Sequence, residues 1–259
     1  MTVAMGVIVL ASCRRTPPTS MLLIAGSTTM QRYIANIIAA FAKREPTINV
    51  VSDAGGAAAG IIALKRGAID VALLARDLTN DEDDPQIRNY LVAKDGLAII
   101  VSPANPVSNL TMDQLRQVYQ EKIVSWKALG GPDAKIEILT REPTAKVQRS
   151  LRDLILRGDE MPHGRQVNSR QMMMSAVKSS PNALGFVSLR GLTEDVKDLT
   201  IDGVAMSRLT ILSGRYPLSR SFYVVLYGLS TPTADKLVSF TLSAEGQAIF
   251  AEDGLIPVH

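Results

Sequence analysis

The stretch Met21-Leu22-Leu23-Ile24-Ala25-Gly26-Ser27-Thr28-Thr29 sets the fold of this 259-residue chain. Its leading apolar residues are typical of a strand buried in a parallel sheet. After the polar turn, apolar residues recur with the spacing that places them on one face of a helix. These residues are Met30, Tyr33, Ile34, Ile37, Ile38 and Phe41. The pattern predicts a buried strand that is followed directly by an amphipathic helix.

The same alternation continues along the chain. Strands are predicted at 48–51 and 69–74, with a helix through Ile61 and Leu64 between them. Strand–helix–strand–helix–strand order is typical of a parallel α/β sheet. A second unit of the same kind follows, with strands predicted at 136–139 and 183–187, and further strands are predicted at 96–101 and 221–226. We therefore expect two α/β lobes, each a mostly parallel sheet flanked by helices, with a ligand cleft between them.

The predicted lobe boundaries follow from extended segments near 96–103 and 215–226, which are expected to pass between the two units. Lobe I is predicted to comprise residues 20–99 plus 222–259, and lobe II residues 100–221. The C-terminus would thus complete the first lobe.

Composition excludes two classes of protein. Apolar residues make up 46% of the chain and charged residues 20%, which is incompatible with a largely disordered chain. The formal net charge is only +3, and no cluster of Lys and Arg is interleaved with aromatic residues. Nucleic acid is therefore not expected as a partner.

The N-terminus is typical of an export signal. The apolar run at 3–12 is too short to span a bilayer and ends in small residues. It leads into Leu10-Ala11-Ser12-Cys13, which resembles a bacterial lipobox, although no Lys or Arg precedes the run. We expect residues 1–19 to be a lipoprotein signal and tether, with Cys13 lipidated and the protein anchored in the periplasm or at the cell surface. The alternative is a buried free cysteine; Cys13 is the only cysteine, so no intrachain disulfide can form.

Three predicted strand-to-helix junctions share a chemistry that suits anions. They are Gly26–Thr29, Gly55–Gly60 and Arg141–Thr144. In open parallel sheets, ligands bind beyond the carboxyl ends of the strands, where unpaired helix N–H groups attract negative charge. Small residues let an anion approach the backbone, and an arginine supplies a fixed countercharge. Taken singly, each junction is equally compatible with plain helix capping and tight packing.

An ordered series of motifs runs from Ile24 to the C-terminus. It comprises Gly26-Ser27-Thr28-Thr29, the Gly-rich turn at 55–60, Gly67-Ala68-Ile69-Asp70-Val71-Ala72, Ala75-Arg76-Asp77-Leu78, Asp95-Gly96-Leu97-Ala98-Ile99-Ile100-Val101, Asn105-Pro106-Val107, Asn109-Leu110-Thr111, Trp126-Lys127-Ala128-Leu129-Gly130-Gly131, Arg141-Glu142, Pro181-Asn182-Ala183-Leu184-Gly185-Phe186-Val187, Tyr216-Pro217-Leu218 and Glu245-Gly246-Gln247. In order and content the series resembles the phosphate-binding proteins of bacterial phosphate ABC importers, a type II periplasmic binding protein family.

The resemblance implies two lobes that close on an inorganic oxyanion, phosphate first among candidates, without a metal or cofactor. It also implies ABC importer membrane subunits as partners and a monomeric protein. The predicted ligand-binding residues are Ser27, Thr28, Thr29, Ala57, Arg76, Arg141 and Thr144. Of these, Arg76 and Thr144 are candidates to replace donors that the family has and this chain lacks. By this resemblance Thr28 would donate its hydroxyl, Thr29 its backbone N–H, and Arg141 a charged pair across the cleft.

Three departures from the family pattern leave alternatives open. Ala57 stands where the family has serine, Leu74 and Ala75 where many members have Asp or Ser, and Pro143-Thr144-Ala145 where Ser-Gly-Thr is usual. Because these donors are missing, two further hypotheses stay open. One is a binder of a sulfate- or molybdate-type oxyanion, and the other is a surface lipoprotein with a degenerate site that serves sensing or scaffolding.

Catalysis is not expected. Ser27 or Thr28 as a nucleophile would need a paired general base or a carboxylate–histidine metal cluster, and the sequence supplies neither. His163 and His259 lie far apart and match no metal-ligand spacing, so no metal site is expected.

Overall fold

The structure, a computed structural model, describes residues 20–259. Cys13 and the predicted signal and tether lie outside the described residues. The helices are α1 Thr28–Arg44, α2 Ala57–Lys65, α3 Met112–Tyr119, α4 Lys146–Leu151, α5 Arg170–Ser179, α6 Arg208–Leu212, α7 Pro232–Leu242 and α8 Ala244–Glu252. Helix α4 continues directly into a π-helical segment, Arg152–Leu156.

Most strands join one sheet. The strands are β1 Ser20–Gly26, β2 Ile48–Ala54, β3 Val71–Leu74, β4 Ile87–Val101, β5 Asn109–Leu110, β6 Glu137–Thr140, β7 Arg165–Gln166, β8 Ala183–Ser188, β9 Lys197–Asp198, β10 Thr200–Ile201, β11 Ser219–Tyr227 and β12 Ile256–Pro257. Ten of them form a sheet of order β2-β1-β3-β11-β4-β8-β6-β7, with β9 and β12 also paired to β4. The pairs β2-β1-β3 and β8-β6-β7 are parallel, whereas β11 and β4 are antiparallel to their neighbours.

Local signals explain where the principal helices begin. The Ser27 hydroxyl accepts a hydrogen bond from the Met30 N–H at 3.3 Å and so caps α1. Thr111 and Gln114 form a capping box at the start of α3. Pro232 occupies the first turn of α7, where its missing N–H costs no hydrogen bond.

Strand β4 is longer than the sequence predicted. The prediction began at Gly96, whereas the strand begins at Ile87 and pairs first with β11 and then with β8. Polar residues such as Lys94 and Asp95 concealed its first part, because charged residues rarely occupy a buried strand without a partner. Strands β4 and β11 are thus shared by the two halves of the molecule.

The hydrophobic core divides into two main clusters. One runs from Leu97 to Leu218 and includes Trp126, which is fully buried. The other combines residues between Leu22 and Ala93 with residues between Phe222 and Leu255. The predicted boundaries at 99/100 and 221/222 stay predictions, but the cores divide close to them. The names lobe I and lobe II are used below for these two halves.

The two-lobed α/β architecture expected from the sequence is confirmed by this topology. Among the helices within residues 20–259, none has the length and apolar character needed to cross a bilayer.

Candidate functional site

In lobe I the starts of helices α1 and α2 are held together at one edge of the sheet. The Ser27 N–H donates to the Leu73 carbonyl at 2.8 Å, and the Gly56 N–H donates to the Gly26 carbonyl at 2.9 Å. A Cβ on Gly26 would lie 2.3 Å from the Leu73 oxygen, and one on Gly60 would lie 2.9 Å from the Gly26 Cα. Glycine at both positions therefore allows the two helix starts to approach this closely.

The predicted Ser27-Thr28-Thr29 segment forms the start of α1. Ser27 is buried and its hydroxyl is used as the helix cap. Thr28 is exposed, whereas the Thr29 hydroxyl donates to Asp153 Oδ2 of the π-helical segment at 3.4 Å. The first-turn N–H groups of Thr28 and Thr29 have no intrahelical acceptor, so they are free to meet an anion.

Ala57 is the first residue of α2. The residue before it, Gly56, has φ of 86° and provides no side-chain cap. Only backbone N–H groups therefore face outward at this helix start, and the structure places them beside the start of α1.

Arg76, also predicted to bind the ligand, forms its hydrogen bonds with residues of its own loop. Its guanidinium donates to both carboxylate oxygens of Glu82, at 2.6 and 2.7 Å, and to the Asp77 carbonyl at 2.8 Å. These hydrogen bonds lower the pKa of Glu82 to about 2 and raise the pKa of Arg76. Nothing in the geometry directs this side chain toward the helix starts.

In lobe II, Arg141 follows the carboxyl end of β6. Its guanidinium donates to Glu142 at 2.9 and 3.2 Å and to the Asn168 carbonyl at 3.3 Å. The Arg141 side chain is only 14% exposed, and it borders a cavity of about 300 Å³ that Lys146 and Arg170 also line. Three cationic side chains therefore surround one recess beyond the sheet of lobe II.

Thr144 is exposed just before α4. Within residues 20–259, no hydrogen bond or ion pair joins Arg141 or Thr144 to Thr28 or Ala57. The predicted site residues thus form two groups, one at the helix starts of lobe I and one beyond β6 of lobe II.

Between the groups lies a set of side chains that sequence reasoning missed, here called the inter-lobe cluster: Arg32, Asp95, Ser150, Asp153 and Arg220. Arg220 donates to Asp95, Ser150 and Asp153, each at 3.0 Å, and Ser150 donates to Asp95 at 2.7 Å. Arg32 lies 3.5 Å from Asp153. The cluster therefore ties α1, the two shared strands and the α4–π segment together.

Burial makes the electrostatics of this cluster strong. The side chains of Arg220 and Asp95 are only 9% and 7% exposed. Burial alone would lower the pKa of Arg220, but the carboxylates of Asp95 and Asp153 outweigh it and raise that pKa. Asp95 and Arg220, charged residues of opposite sign within two largely apolar strands, were the signal that could have predicted this pair.

Further polar contacts also join the lobes, among them the following. Lys146 pairs with Asp253, and its ammonium lies 5.1 Å from the centre of the Tyr33 ring. Arg190 donates to the Ala251 carbonyl. Within residues 20–259, no group of three or more His, Cys, Asp and Glu side chains is placed to hold a metal ion.

Comparison with known proteins identifies relatives of the whole chain. The PBP superfamily domain matches residues 14–245. An ABC-type phosphate transport receptor from Vibrio cholerae is 31% identical, with a TM-score of 0.72 over 92% of this chain and 99% of the receptor. The phosphate-binding protein PstS of Borreliella burgdorferi is 26% identical over 96% of this chain and 94% of its own length.

A possible phosphate binding protein from Planctomyces limnophilus has a TM-score of 0.81 over 93% of this chain and 94% of its own. Its sequence identity is 21%, so it supports the fold alone. The domain match and the receptor of 31% identity cover most of the chain. The chain therefore belongs to the PBP superfamily and, within it, to the family of phosphate-binding proteins of ABC-type transporters.

Proposed function

We propose that the protein captures inorganic phosphate outside the cytoplasm and delivers it to an ABC importer. The observation that carries this proposal is the meeting of two helix starts, α1 and α2, at one edge of lobe I. Unpaired N–H groups at such a point attract an anion of the size of phosphate. The relatives named above are phosphate-binding proteins, which supports phosphate as the anion.

The proposed ligand contacts come from both lobes. Thr28 would donate its hydroxyl, while Thr29 and Ala57 would donate backbone N–H groups. Ser27 would act by holding the start of α1 through its capping hydrogen bond. These contacts need no metal ion, because the N–H groups and an arginine supply the positive charge.

In lobe II, Arg141 would provide the countercharge and Thr144 a further hydroxyl. Arg141 can turn from Glu142 toward an anion, since an arginine offers five N–H donors. Arg76 would contribute only if its two hydrogen bonds to Glu82 opened.

The proposed setting is that of an exported lipoprotein. Cys13 would carry the lipid anchor and the following residues the tether, which would place the monomeric protein in the periplasm or at the cell surface. Importer membrane subunits would receive the ligand from the cleft. The proposal assigns no catalytic role, since the relatives are named as binding proteins.

Thermal unfolding of the purified protein tests this function. Phosphate, arsenate, sulfate, molybdate and chloride are compared at matched ionic strength. A ligand at a hundredfold excess over Kd stabilises the folded state by about 2.7 kcal/mol. For a chain of this size that is a rise in Tm of roughly 5–10 °C. A rise restricted to phosphate and arsenate is the expected outcome.

Two observations favour a second candidate function: Ala57 lacks a hydroxyl, and Arg76 is already paired with Glu82. A surface lipoprotein with a degenerate site, used for sensing or scaffolding, would show no rise in Tm with any anion at millimolar concentration. A rise with sulfate or molybdate alone would keep the binding mechanism and change the ligand.

A further inference from the structure

The recess that Arg141 borders lies at the carboxyl ends of the lobe II strands. Strands β8, β6 and β7 are parallel neighbours, so their carboxyl ends meet at one edge of the sheet. In open α/β sheets, ligands bind at this edge. Arg141 follows β6, Ser188 is the last residue of β8, and Arg170 is the first residue of the helix that follows β7. All three residues line the recess.

The recess is larger than a single phosphate ion needs. Its volume of about 300 Å³ equals that of about ten water molecules in the liquid. Phosphate would fill roughly half of this space if each of its non-hydrogen atoms took the volume of one water. The Ser188 hydroxyl does not cap the turn that follows it. The recess therefore has room, and a free hydroxyl, for a second group joined to a phosphate bound at Arg141.

Arg170 is a cation without a carboxylate partner in the part of the chain that the structure describes. Within residues 20–259 its guanidinium makes one long hydrogen bond, to the Arg190 carbonyl at 3.5 Å. Its aliphatic part passes close to Gly191, where a Cβ would lie only 2.9 Å from the Arg170 Cδ. Glycine at this position therefore lets the arginine lie along the wall of the recess, with most of its five N–H donors unused.

The other two cations of the recess are already paired. Arg141 donates to Glu142, and Lys146 pairs with Asp253. A single anion that binds Arg141 would leave the charge of Arg170 uncompensated. A second negative group on the same ligand would compensate it, because opposite charges this close to a protein surface attract strongly.

We propose that the recess accommodates a ligand with two linked anionic groups, of the pyrophosphate class. The inference rests on the proposed function and widens its substrate class from orthophosphate to condensed phosphate. One phosphoryl group would bind at Arg141, and the second would accept hydrogen bonds from Arg170 and from the Ser188 hydroxyl. Arginine suits this role, since its planar fork of N–H groups matches two phosphoryl oxygens at once. The ligand would be bound whole, with no bond formed or broken.

Isothermal titration of the full-chain protein and of Arg170→Gln tests this inference, in buffer free of divalent cations. The ligands are orthophosphate, pyrophosphate and methyl phosphate. The unaltered protein should bind pyrophosphate at least about tenfold more tightly than orthophosphate, because the second group adds charged hydrogen bonds. In Arg170→Gln, pyrophosphate affinity should fall about 10- to 100-fold. Orthophosphate and methyl phosphate, which lack the second charge, should change by less than about threefold.

Lys178→Gln is the matched control, because it removes a cation from the same helix whose partner, Asp195, does not line the recess. It should leave the ratio of pyrophosphate to orthophosphate affinity unchanged. If Arg170→Gln fails to fold, Arg170→Lys keeps the charge and should keep a preference for pyrophosphate; loss of the preference there would contradict the inference.

The inference is overturned if Arg170→Gln loses affinity for orthophosphate and pyrophosphate equally. It is also overturned if methyl phosphate binds the unaltered protein as tightly as pyrophosphate, since the recess would then select for size and not for charge. Binding of orthophosphate without pyrophosphate contradicts this inference alone. Binding of pyrophosphate without orthophosphate removes the proposed function and supports the recess site, whereas binding of neither removes both.

Discussion

The candidate binding groups of the two lobes differ in kind. Lobe I presents backbone N–H groups at the starts of α1 and α2, whose positions are set by Gly26 and Gly60. The candidate groups of lobe II are charged side chains, chiefly Arg141. Backbone groups favour any small anion, whereas side chains can be exchanged by a single substitution.

One arginine of each lobe illustrates the difference between the lobes. Arg76 of lobe I is 38% exposed and bidentate with Glu82, whereas Arg141 of lobe II is 14% exposed and makes longer contacts to Glu142. A charge that is shielded from water interacts more strongly with an incoming anion. Of the two, Arg141 is therefore the better countercharge.

The largest expected effect comes from Arg141→Ala. Removing a charged hydrogen-bond donor costs about 1.5–3 kcal/mol, so phosphate affinity should fall by about 10- to 100-fold. Arg76→Ala is the matched control and should change affinity less than about threefold, in the range of an exposed ion pair. Isothermal titration of phosphate into both variants checks this. An equal loss of phosphate affinity in the two variants would show that the two arginines contribute equally to binding.

A smaller effect is expected from Ala57→Ser. The variant returns a hydroxyl to the start of α2, beside N–H groups that already face the cleft. One added neutral hydrogen bond is worth about 1 kcal/mol, or about fivefold in phosphate affinity. Titration with phosphate should show this gain. If Kd is unchanged and the Tm of the ligand-free variant equals that of the unaltered protein, the start of α2 does not contact phosphate.

The smallest effect is expected from Glu82→Gln. Hydrogen bonds from Arg76 hold the pKa of Glu82 at about 2, below its ordinary value of about 4.3. The ion pair therefore stabilises the fold above about pH 4.3, and this contribution is lost as pH falls toward 2. After allowance for solvent screening it is about 0.5 kcal/mol at pH 7. Urea unfolding at pH 7 and pH 3 should show a deficit in the variant that shrinks on acidification; a constant deficit would show that packing, not charge, is lost.

Most of the fold could be predicted because local patterns carry it. The apolar spacing after Gly26 predicted α1, and the alternation of strands and helices predicted α2. The first part of β4 could not be predicted, since Lys94 and Asp95 oppose a buried strand until β11 is paired beside them. The first part of β4 forms only because it pairs with β11, which is distant in sequence.

Only part of the candidate site could be predicted from the sequence. Helix starts can be predicted from local sequence. The sequence therefore allowed Thr28 and Ala57 to be assigned to the same candidate site. The contact of Thr29 with Asp153 spans 124 residues and depends on how the lobes meet. No local pattern encodes that distance, and Asp153 was therefore missed.

The insertion of β11 between β3 and β4 has a consequence for synthesis on the ribosome. The core of lobe II comes mainly from one continuous segment, which can fold soon after it emerges, whereas lobe I must wait for Ser219 and the residues beyond it. Such non-local pairing is slow to form. A chain terminated before Ser219 would expose two unpaired strand edges in lobe I, and such edges template aggregation. Prematurely terminated chains should therefore be cleared by proteolysis or aggregate rather than persist as half-size receptors.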